Sequence, residues 1–162
     1  IAELGYANSV KWPETKGPGR FRRGLYILFQ RTAPYPMLMT FDAPDSNVSC
    51  SRRARSNTPL QSLNLLNDPV FFEAAQAFAI RAEKDCPAAA AGRIGCMFLI
   101  ALGRQPSDGE RERLARYLDE QATIFGKDRH AAAEVAPLTP DAAPWVGIAR
   151  VLLNLDEFIT RE

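Results

Sequence analysis

Two prolines ten residues apart, Pro59 and Pro69, constrain the fold of this chain more than any other feature of its sequence. Proline is tolerated in the first turn of an α-helix and breaks a helix interior, so a helix that starts at Pro59 must end before Pro69. Asn57 or Thr58 can cap the first helix, and Asp68 can cap a second helix that has Pro69 at its first position. The sequence therefore predicts a tight corner between two helices.

The hydrophobic residues elsewhere recur at helical spacing, and no segment alternates apolar and polar residues with the period of a β-strand. We predict an all-α fold, a compact bundle of about five or six helices. Residues 1–20 are predicted to be an extended arm or the end of a preceding segment, and residues 21–162 a single all-α domain. The predicted helices cover residues 21–32, 59–67, 69–84, 88–102, 107–125 and 145–159, with a long loop that contains Pro137, Pro140 and Pro144 before the last one.

Each of the six predicted helices has a set of side chains that should face the core. The helix at 21–32 brings Phe21, Leu25, Leu28 and Phe29 to one face, and the helix after Pro59 would use Leu60, Leu63 and Leu66. Ser107 and Glu110 have the spacing of a capping box. The other predicted inward residues are Phe71, Phe72, Ala75, Phe78, Ala79, Ile94, Phe98, Leu99, Leu102, Leu114, Tyr117, Leu118, Phe125, Trp145, Ile148, Val151, Leu152, Leu155 and Phe158.

The charges are balanced overall and uneven along the chain. The net charge is +1, which argues against bulk attraction to nucleic acid or to a membrane. Residues 1–56 hold nine Lys or Arg against four Asp or Glu, which leaves the remainder acidic. No apolar run reaches the roughly 18 residues of a membrane span, so we predict no membrane insertion. Because the chain begins with Ile1, we expect a piece of a longer protein.

The cysteines and the single histidine give no catalytic or metal constellation. Cys50, Cys86 and Cys96 have no C-x-x-C spacing, which excludes a zinc ribbon and a haem attachment motif built from them. One disulfide plus one thiol, or three free cysteines that pack as small hydrophobes, both remain open. His130 sits in a polar context without a G-x-S-x-G motif, so we predict a surface role for it, no catalytic residue and no metal site.

Arg52, Arg53, Arg55 and Asn57 form the candidate anion site. Guanidinium groups beside the free N–H groups of a helix N-terminus suit sulfate, phosphate or carboxylate. The alternative is structural: the arginines pair with acidic residues, of which Asp42, Asp45 and Asp68 are candidates, and fasten an irregular segment to the helices. On that interpretation Asp42 and Asp68 are structural, together with the helix-starting prolines Pro59 and Pro69.

Three segments together resemble a known family: "FRRGLYILFQRTAPYPMLMTFDAPDSN", "CSRRARSNTPLQSLNLLNDPVFFEAAQAFA" and "ARVLLNLDEFITRE". They are similar to the PSD-type C-terminal domain of unknown function in exported planctomycete proteins, where it follows a cytochrome c-type domain. The resemblance covers residues 21–162, with Ser56 in place of the family's usual Thr and Ser62 in place of Ala. It implies export to the periplasm or cell surface, where disulfides form, and so favours pairing of two of the cysteines.

The resemblance carries no catalytic residues, and it implies no cofactor here because any haem would belong to another domain. Our leading expectation is a non-catalytic C-terminal assembly or interaction module whose partners are sister domains of the same parent chain, among them a c-type cytochrome domain. The alternative is a binding or hydrolytic domain for an anionic extracellular substrate such as a sulfated polysaccharide. In that case Arg52, Arg53 and Arg55 would be the clamp and Asp42 the candidate base. We expect no nucleic-acid partner.

Overall fold

The structure, a computed structural model, describes Trp12 and residues 15–30, 34–44, 48–53 and 56–160. These residues form eight α-helices and three short 3-10 turns without a strand, so the predicted all-α class is confirmed. The turns are Gly17–Phe21, Gly24–Tyr26 and Pro140–Ala142. The helices are α1 (Pro36–Thr40), α2 (Pro59–Asn67), α3 (Pro69–Asp85), α4 (Ala90–Leu102), α5 (Asp108–Lys127), α6 (Arg129–Val135), α7 (Ala143–Leu153) and α8 (Asp156–Ile159).

The chain divides into two compact units, a first unit at Ile1–Gln61 and a second unit at Ser62–Glu162. Residues 1–11, most of the predicted arm, lie outside the described residues. The single domain predicted over residues 21–162 stays a prediction.

The core of the second unit lies around α7. Small residues on α3, at Ala75, Ala79 and Ala82, are almost fully buried and let α7 pack closely against that helix. On the other side α7 packs against α5, where Gly147 has no side chain and the Tyr117 hydroxyl lies only 3.1 Å from the position of a Cβ. The largest buried side chains are Phe98, Ile94, Met97, Ile148 and Leu152.

A disulfide joins Cys86, at the C-terminal end of α3, to Cys96 in the middle of α4. The interpretation that left all three cysteines free is therefore wrong for these two. Cys50 is an exposed free thiol in the first unit. The pairing links the two helices across a sequence separation of 10 residues.

Arg104 connects the start of α5 to α8. Its guanidinium donates two hydrogen bonds to Glu110, at 2.7 and 2.9 Å, and Nε donates to Glu157 at 2.8 Å. Glu110 also closes the predicted capping box, because its carboxylate accepts from the Ser107 N–H while the Ser107 side chain accepts from the Glu110 N–H. Hydrogen bonding to Arg104 lowers the pKa of Glu110 to about 2 and raises the pKa of Arg104.

The helix predicted at residues 21–32 is wrong over its described part. Residues 17–21 and 24–26 form two 3-10 turns, and Arg22 and Arg23 between them have extended backbone angles. Leu25 and Leu28, predicted to face the core, are 80% and 71% exposed. The glycine next to two arginines interrupts the helix, since glycine is a poor helix former and cations oppose the dipole at a helix start.

Other helix boundaries and other side chains predicted to face the core also differ from the prediction. In α2 the buried side chains are Gln61 and Leu65, whereas the predicted core residues Leu60 and Leu63 are more than half exposed. Leu99 in α4 is likewise 51% exposed. The last predicted helix is broken, because the residues at 154 and 155 leave helical geometry between α7 and α8. The helix α6 was not predicted; it starts where the Asp128 side chain accepts from the Ala131 N–H.

Candidate functional site

The candidate site begins at the turn that ends α1. Asp42 is the one described residue other than glycine with a positive φ, at 56°. The Ala43 N–H donates to the Leu38 carbonyl and the Asp42 N–H donates to the Met39 carbonyl, which together make a Schellman motif with Asp42 in the left-handed position. Asp tolerates this conformation better than most residues because its short side chain bonds locally. The motif therefore presents the Asp42 carboxylate at the end of α1.

The Asp42 carboxylate accepts hydrogen bonds from Ser56, which precedes α2, and from Gln61 in the first turn of α2. Oδ2 of Asp42 accepts from the Ser56 N–H at 2.9 Å, from the Ser56 hydroxyl at 2.7 Å and from Nε2 of Gln61 at 3.4 Å. These donors favour the ionised form, so the pKa of Asp42 lies below its usual value, with the Ser56 hydroxyl as the largest cause. A carboxylate with a lowered pKa is a weak base, which makes it a structural acceptor here.

Gln61 joins this corner to the start of α2. Its Oε1 accepts from the Thr58 N–H at 2.9 Å, while its own N–H donates to the Thr58 hydroxyl at 3.3 Å, a reciprocal capping box. Its Nε2 also donates to the Thr40 carbonyl at 2.8 Å and to the Ser56 hydroxyl at 3.0 Å. Gln61 is 1% exposed and is the only buried polar side chain among the described residues. We name Asp42, Ser56, Thr58 and Gln61 the polar corner.

Neither Ser56 nor Gln61 was among the site residues predicted from the sequence. The T-x-x-Q spacing of Thr58 and Gln61 is the signal that identifies Gln61, because it is the capping-box pattern. No comparable signal identifies Ser56. Its bonds to Asp42 join residues fourteen positions apart, which no local pattern reports.

The predicted anion-site residues have different surroundings. Arg53 donates from Nε to the Asp42 carbonyl at 3.1 Å and from Nη2 to the Phe41 carbonyl at 2.8 Å, so it fastens the chain to the end of α1. The Arg52 guanidinium is exposed and has no partner among the described residues, and its carbonyl accepts from the Cys50 thiol. Arg55 lies outside the described residues, and Asn57 is exposed. A common anion site for these four residues stays a prediction.

The helix-start residues occupy the positions assigned to them from the sequence. Pro59 is the first residue of α2 and Pro69 the first residue of α3. The Asp68 carboxylate accepts from the Val70 N–H at 2.8 Å and caps α3. Asp45, which was also predicted to pair with the arginines, lies outside the described residues.

Nothing in the polar corner forms a nucleophile with an activating base. The Ser56 hydroxyl bonds to a carboxylate, and His130 lies on α6 in the second unit with its side chain 86% exposed. Within the described ranges no cluster of three metal-ligating side chains occurs, and no described helix is long and apolar enough to cross a bilayer.

The second feature of the first unit is a surface of apolar and basic side chains. Phe21, Leu25, Tyr26 and Leu28 are 56–80% exposed. Arg22 and Arg23 lie among them, and the structure shows no partner for either guanidinium within its described part. Residues 15–30 contain four basic residues and no acidic one. We name residues 15–30 the arm surface.

A protein-family model described as PSD1, protein of unknown function (DUF1553), matches residues 4–118. This range contains the first two of the three segments on which the resemblance rests, and the third, from residue 149, lies beyond it. No curated protein and no solved structure matches the chain.

Proposed function

We propose that this chain, which belongs to the PSD1 family of proteins of unknown function (DUF1553), is a non-catalytic assembly module of an exported multidomain protein. Its arm surface docks on a sister domain of the same parent chain. One observation carries this proposal: the first unit has no buried hydrophobic side chain among its described residues, and seven of its large apolar side chains are exposed.

The distribution of exposed apolar side chains supports docking by the first unit. Seven of the thirteen large hydrophobic side chains that are exposed in the described part of the chain belong to this much smaller unit. Burying one such side chain completely stabilises a complex by about 1.5–3 kcal/mol. A partner that covers the arm surface would supply the apolar contacts that the first unit lacks.

The basic side chains of the arm surface indicate which kind of partner would bind there. Two copies of the arm surface placed face to face would bring Arg22 and Arg23 of each copy close to those of the other, and like charges repel. A surface with an apolar centre and a carboxylate rim avoids this repulsion and pairs with the arginines. We therefore propose a different, acidic domain as the partner rather than a second copy of this chain.

The proposed setting is an extracytoplasmic compartment. The Cys86–Cys96 disulfide supports it, because disulfides persist in oxidising compartments and are rare in the cytosol. The planctomycete origin and a cytochrome c-type neighbour come from the resemblance alone and are part of this proposal. A c-type cytochrome domain is accordingly the sister domain to be tested first.

The test measures association in trans between the chain and its separately expressed neighbouring domain. We expect the wild-type chain to bind, and the double variant L25S/L28S to bind at least about tenfold more weakly, because each substitution removes apolar area from the contact. The matched control is Ile124→Ser, since Ile124 is an exposed apolar residue of the second unit. Equal binding by all three proteins, or no association, contradicts the proposal, as does turnover of extracellular glycans or esters by the isolated chain.

A second candidate function is binding of an anionic extracellular substrate such as a sulfated polysaccharide. The Arg52 guanidinium favours it, because this group is exposed, lies next to Arg53 in sequence and has no partner within the part of the chain that the structure describes. Replacing Arg52, Arg53 and Arg55 with Gln should then abolish binding of a sulfated oligosaccharide and leave the thermal unfolding of the second unit unchanged. Loss of structure in the first unit without any prior binding by the wild type would instead support the structural role of Arg53.

A further inference from the structure

A groove with a volume of about 400 Å³ lies in the second unit, between α3 and the segment that runs from the end of α6 into α7. Gln76, Ala77 and Ile80 line it from α3, where residues three and four positions apart share one helix face. Residues 136–139 line the opposite side. A volume of this size is typical of small-molecule sites.

The base of the groove is apolar and belongs to the core of the second unit. Ala142 and Val146 line the groove and are only 4% and 1% exposed. Leu138, in contrast, is 85% exposed at the edge. An apolar ligand would therefore rest on a closed base and would cover apolar area that now faces water, which favours binding.

One hydrogen bond fixes a polar group in the wall of the groove. Nε2 of Gln76 donates to the Val135 carbonyl at the end of α6, at 2.6 Å. The carboxamide is planar, so the same bond also fixes Oε1, and no group in the described part of the chain donates to that oxygen. Gln76 thus provides one hydrogen-bond acceptor whose orientation is set before a ligand arrives, which lowers the entropy cost of binding.

The other polar residues of the groove do not favour a charged ligand. Glu73, the one charged residue among those that line it, already has an interaction partner within the protein. The Thr139 hydroxyl rotates and serves as donor or acceptor, so it does not select between them. A charged group in the groove would lose part of its hydration without gaining a free opposite charge, which costs free energy.

We propose that this groove binds an uncharged small molecule with a flat aromatic or compact aliphatic body and one N–H or O–H donor. The body lies against Ala77, Ile80 and Val146, and the donor bonds to Oε1 of Gln76. A ligand of the same shape without the donor leaves Oε1 without a partner and binds more weakly. This site is independent of the docking function proposed for the first unit.

The test compares indole with benzofuran on the intact chain, because the two molecules have nearly the same shape and differ in an N–H donor against a ring oxygen. We expect indole to bind with a dissociation constant on the order of 1 mM and to shift amide NMR signals of residues 73–80 and 136–142. Benzofuran should bind about three- to tenfold more weakly, for the loss of one hydrogen bond.

Three results would overturn the proposal. They are equal binding of indole and benzofuran, signals that shift elsewhere in the chain, and no binding of indole up to about ten times the expected dissociation constant. Tryptamine and indole-3-propionate add a positive and a negative charge to the same ring. Tighter binding of either one than of indole would contradict an uncharged ligand.

Two variants identify the residues involved. Gln76→Met keeps the length of the side chain and removes the acceptor, so it should abolish the preference for indole while benzofuran still binds. Gln121→Met on α5 is the matched control and should leave the preference unchanged, because Gln121 lies outside the groove. A preference for indole that persists in Gln76→Met contradicts the role of Gln76.

A third variant tests the groove itself and decides the question if Gln76→Met alters folding. Ala77→Trp fills the groove from an exposed position and should abolish binding of both probes with the fold intact. Ala91→Trp, at an exposed position of α4 outside the groove, is its control and should bind both probes as the wild type does. Unchanged binding in Ala77→Trp contradicts the site.

Discussion

The two units of this molecule are stabilised by different means. The second unit has a hydrophobic core built from α3, α4, α5 and α7 and a disulfide between two of these helices. In the described part of the first unit the single buried side chain is Gln61, an amide, and the polar corner holds its segments together.

We propose that this difference reflects two roles, with the second unit as the scaffold and the first unit as the docking surface. Apolar burial is the dominant stabilising contribution in folding, and individual hydrogen bonds add only about 0.5–1.5 kcal/mol net. A unit whose segments are joined mainly by hydrogen bonds is poorly stabilised by itself, and its exposed apolar side chains can still be buried against another surface. The polar corner joins the end of α1 to the start of α2, and the arm surface is the part that we propose for docking.

The largest expected effect tests the core of the second unit. Phe98→Ala should lower the free energy of unfolding by about 3–5 kcal/mol, because it removes a large side chain that is 1% exposed and leaves a cavity. Chemical denaturation measures the change. The comparison is Leu25→Ala in the first unit, where the side chain is 80% exposed and the expected change lies within about 0.5 kcal/mol. A large effect of Leu25→Ala would show that the first unit has a core of its own.

Removing the disulfide should have the next largest effect. The double variant C86A/C96A should lose about 2.5–3 kcal/mol of stability, from the loop-closure entropy of a ten-residue separation. Cys50→Ala is the control, and it should behave like the wild type because Cys50 is free and exposed. Urea unfolding with and without a reductant gives the same comparison in the wild type. If reduction does not alter the midpoint, the disulfide is not part of the scaffold.

A smaller and local effect should follow from Gln61→Ala. The substitution removes the partner of the Thr40 carbonyl and of the Thr58 N–H, which costs about 1–3 kcal/mol for groups left unsatisfied. We expect faster hydrogen exchange in residues 36–61 and unchanged exchange in α4 and α7. Leu60→Ala, an exposed neighbour on the same helix, should leave exchange in both regions unchanged.

The smallest expected effect is on how the stability of each unit depends on pH. The pKa of Glu110 is lowered from 4.5 to about 2, so the stability that its ionised form contributes is present above about pH 4.5 and is lost as the pH falls toward 2. Glu110→Gln should flatten this decline for amides of α5, since the variant has no carboxyl to protonate. The lowered pKa of Asp42 has the same sign, so Asp42→Asn should flatten the decline in the first unit alone. An identical acid profile in wild type and variants would contradict both assignments.

The sequence predicts the second unit better than the first, for a physical reason. Helical periodicity and caps are local signals. In the second unit they identified the helix start at Pro69 and the capping box of Ser107, and at the end of the first unit they identified the helix start at Pro59. The same periodicity predicted a helix at residues 21–32 that the structure does not have over its described part. Spacing shows which residues are able to share a helix face, and it does not show that a core is present for that face to pack against.

The polar corner was only partly predictable. Asp42 was selected from its chemistry and Thr58 as a candidate helix cap. The bond from Ser56 to Asp42 joins residues fourteen positions apart, and the left-handed backbone at Asp42 has no glycine that would indicate it in the sequence. The cysteine spacing did not decide between a disulfide and free thiols.

Hydrogen exchange of the intact chain, followed by mass spectrometry from seconds to hours, tests the central claim most directly. If the arm surface is exposed and without a core, amides in residues 20–30 exchange within seconds, while those of α4 and α7 stay protected for hours. If residues 20–30 are protected as strongly as α4 and α7, the arm surface is already packed and is not available for docking.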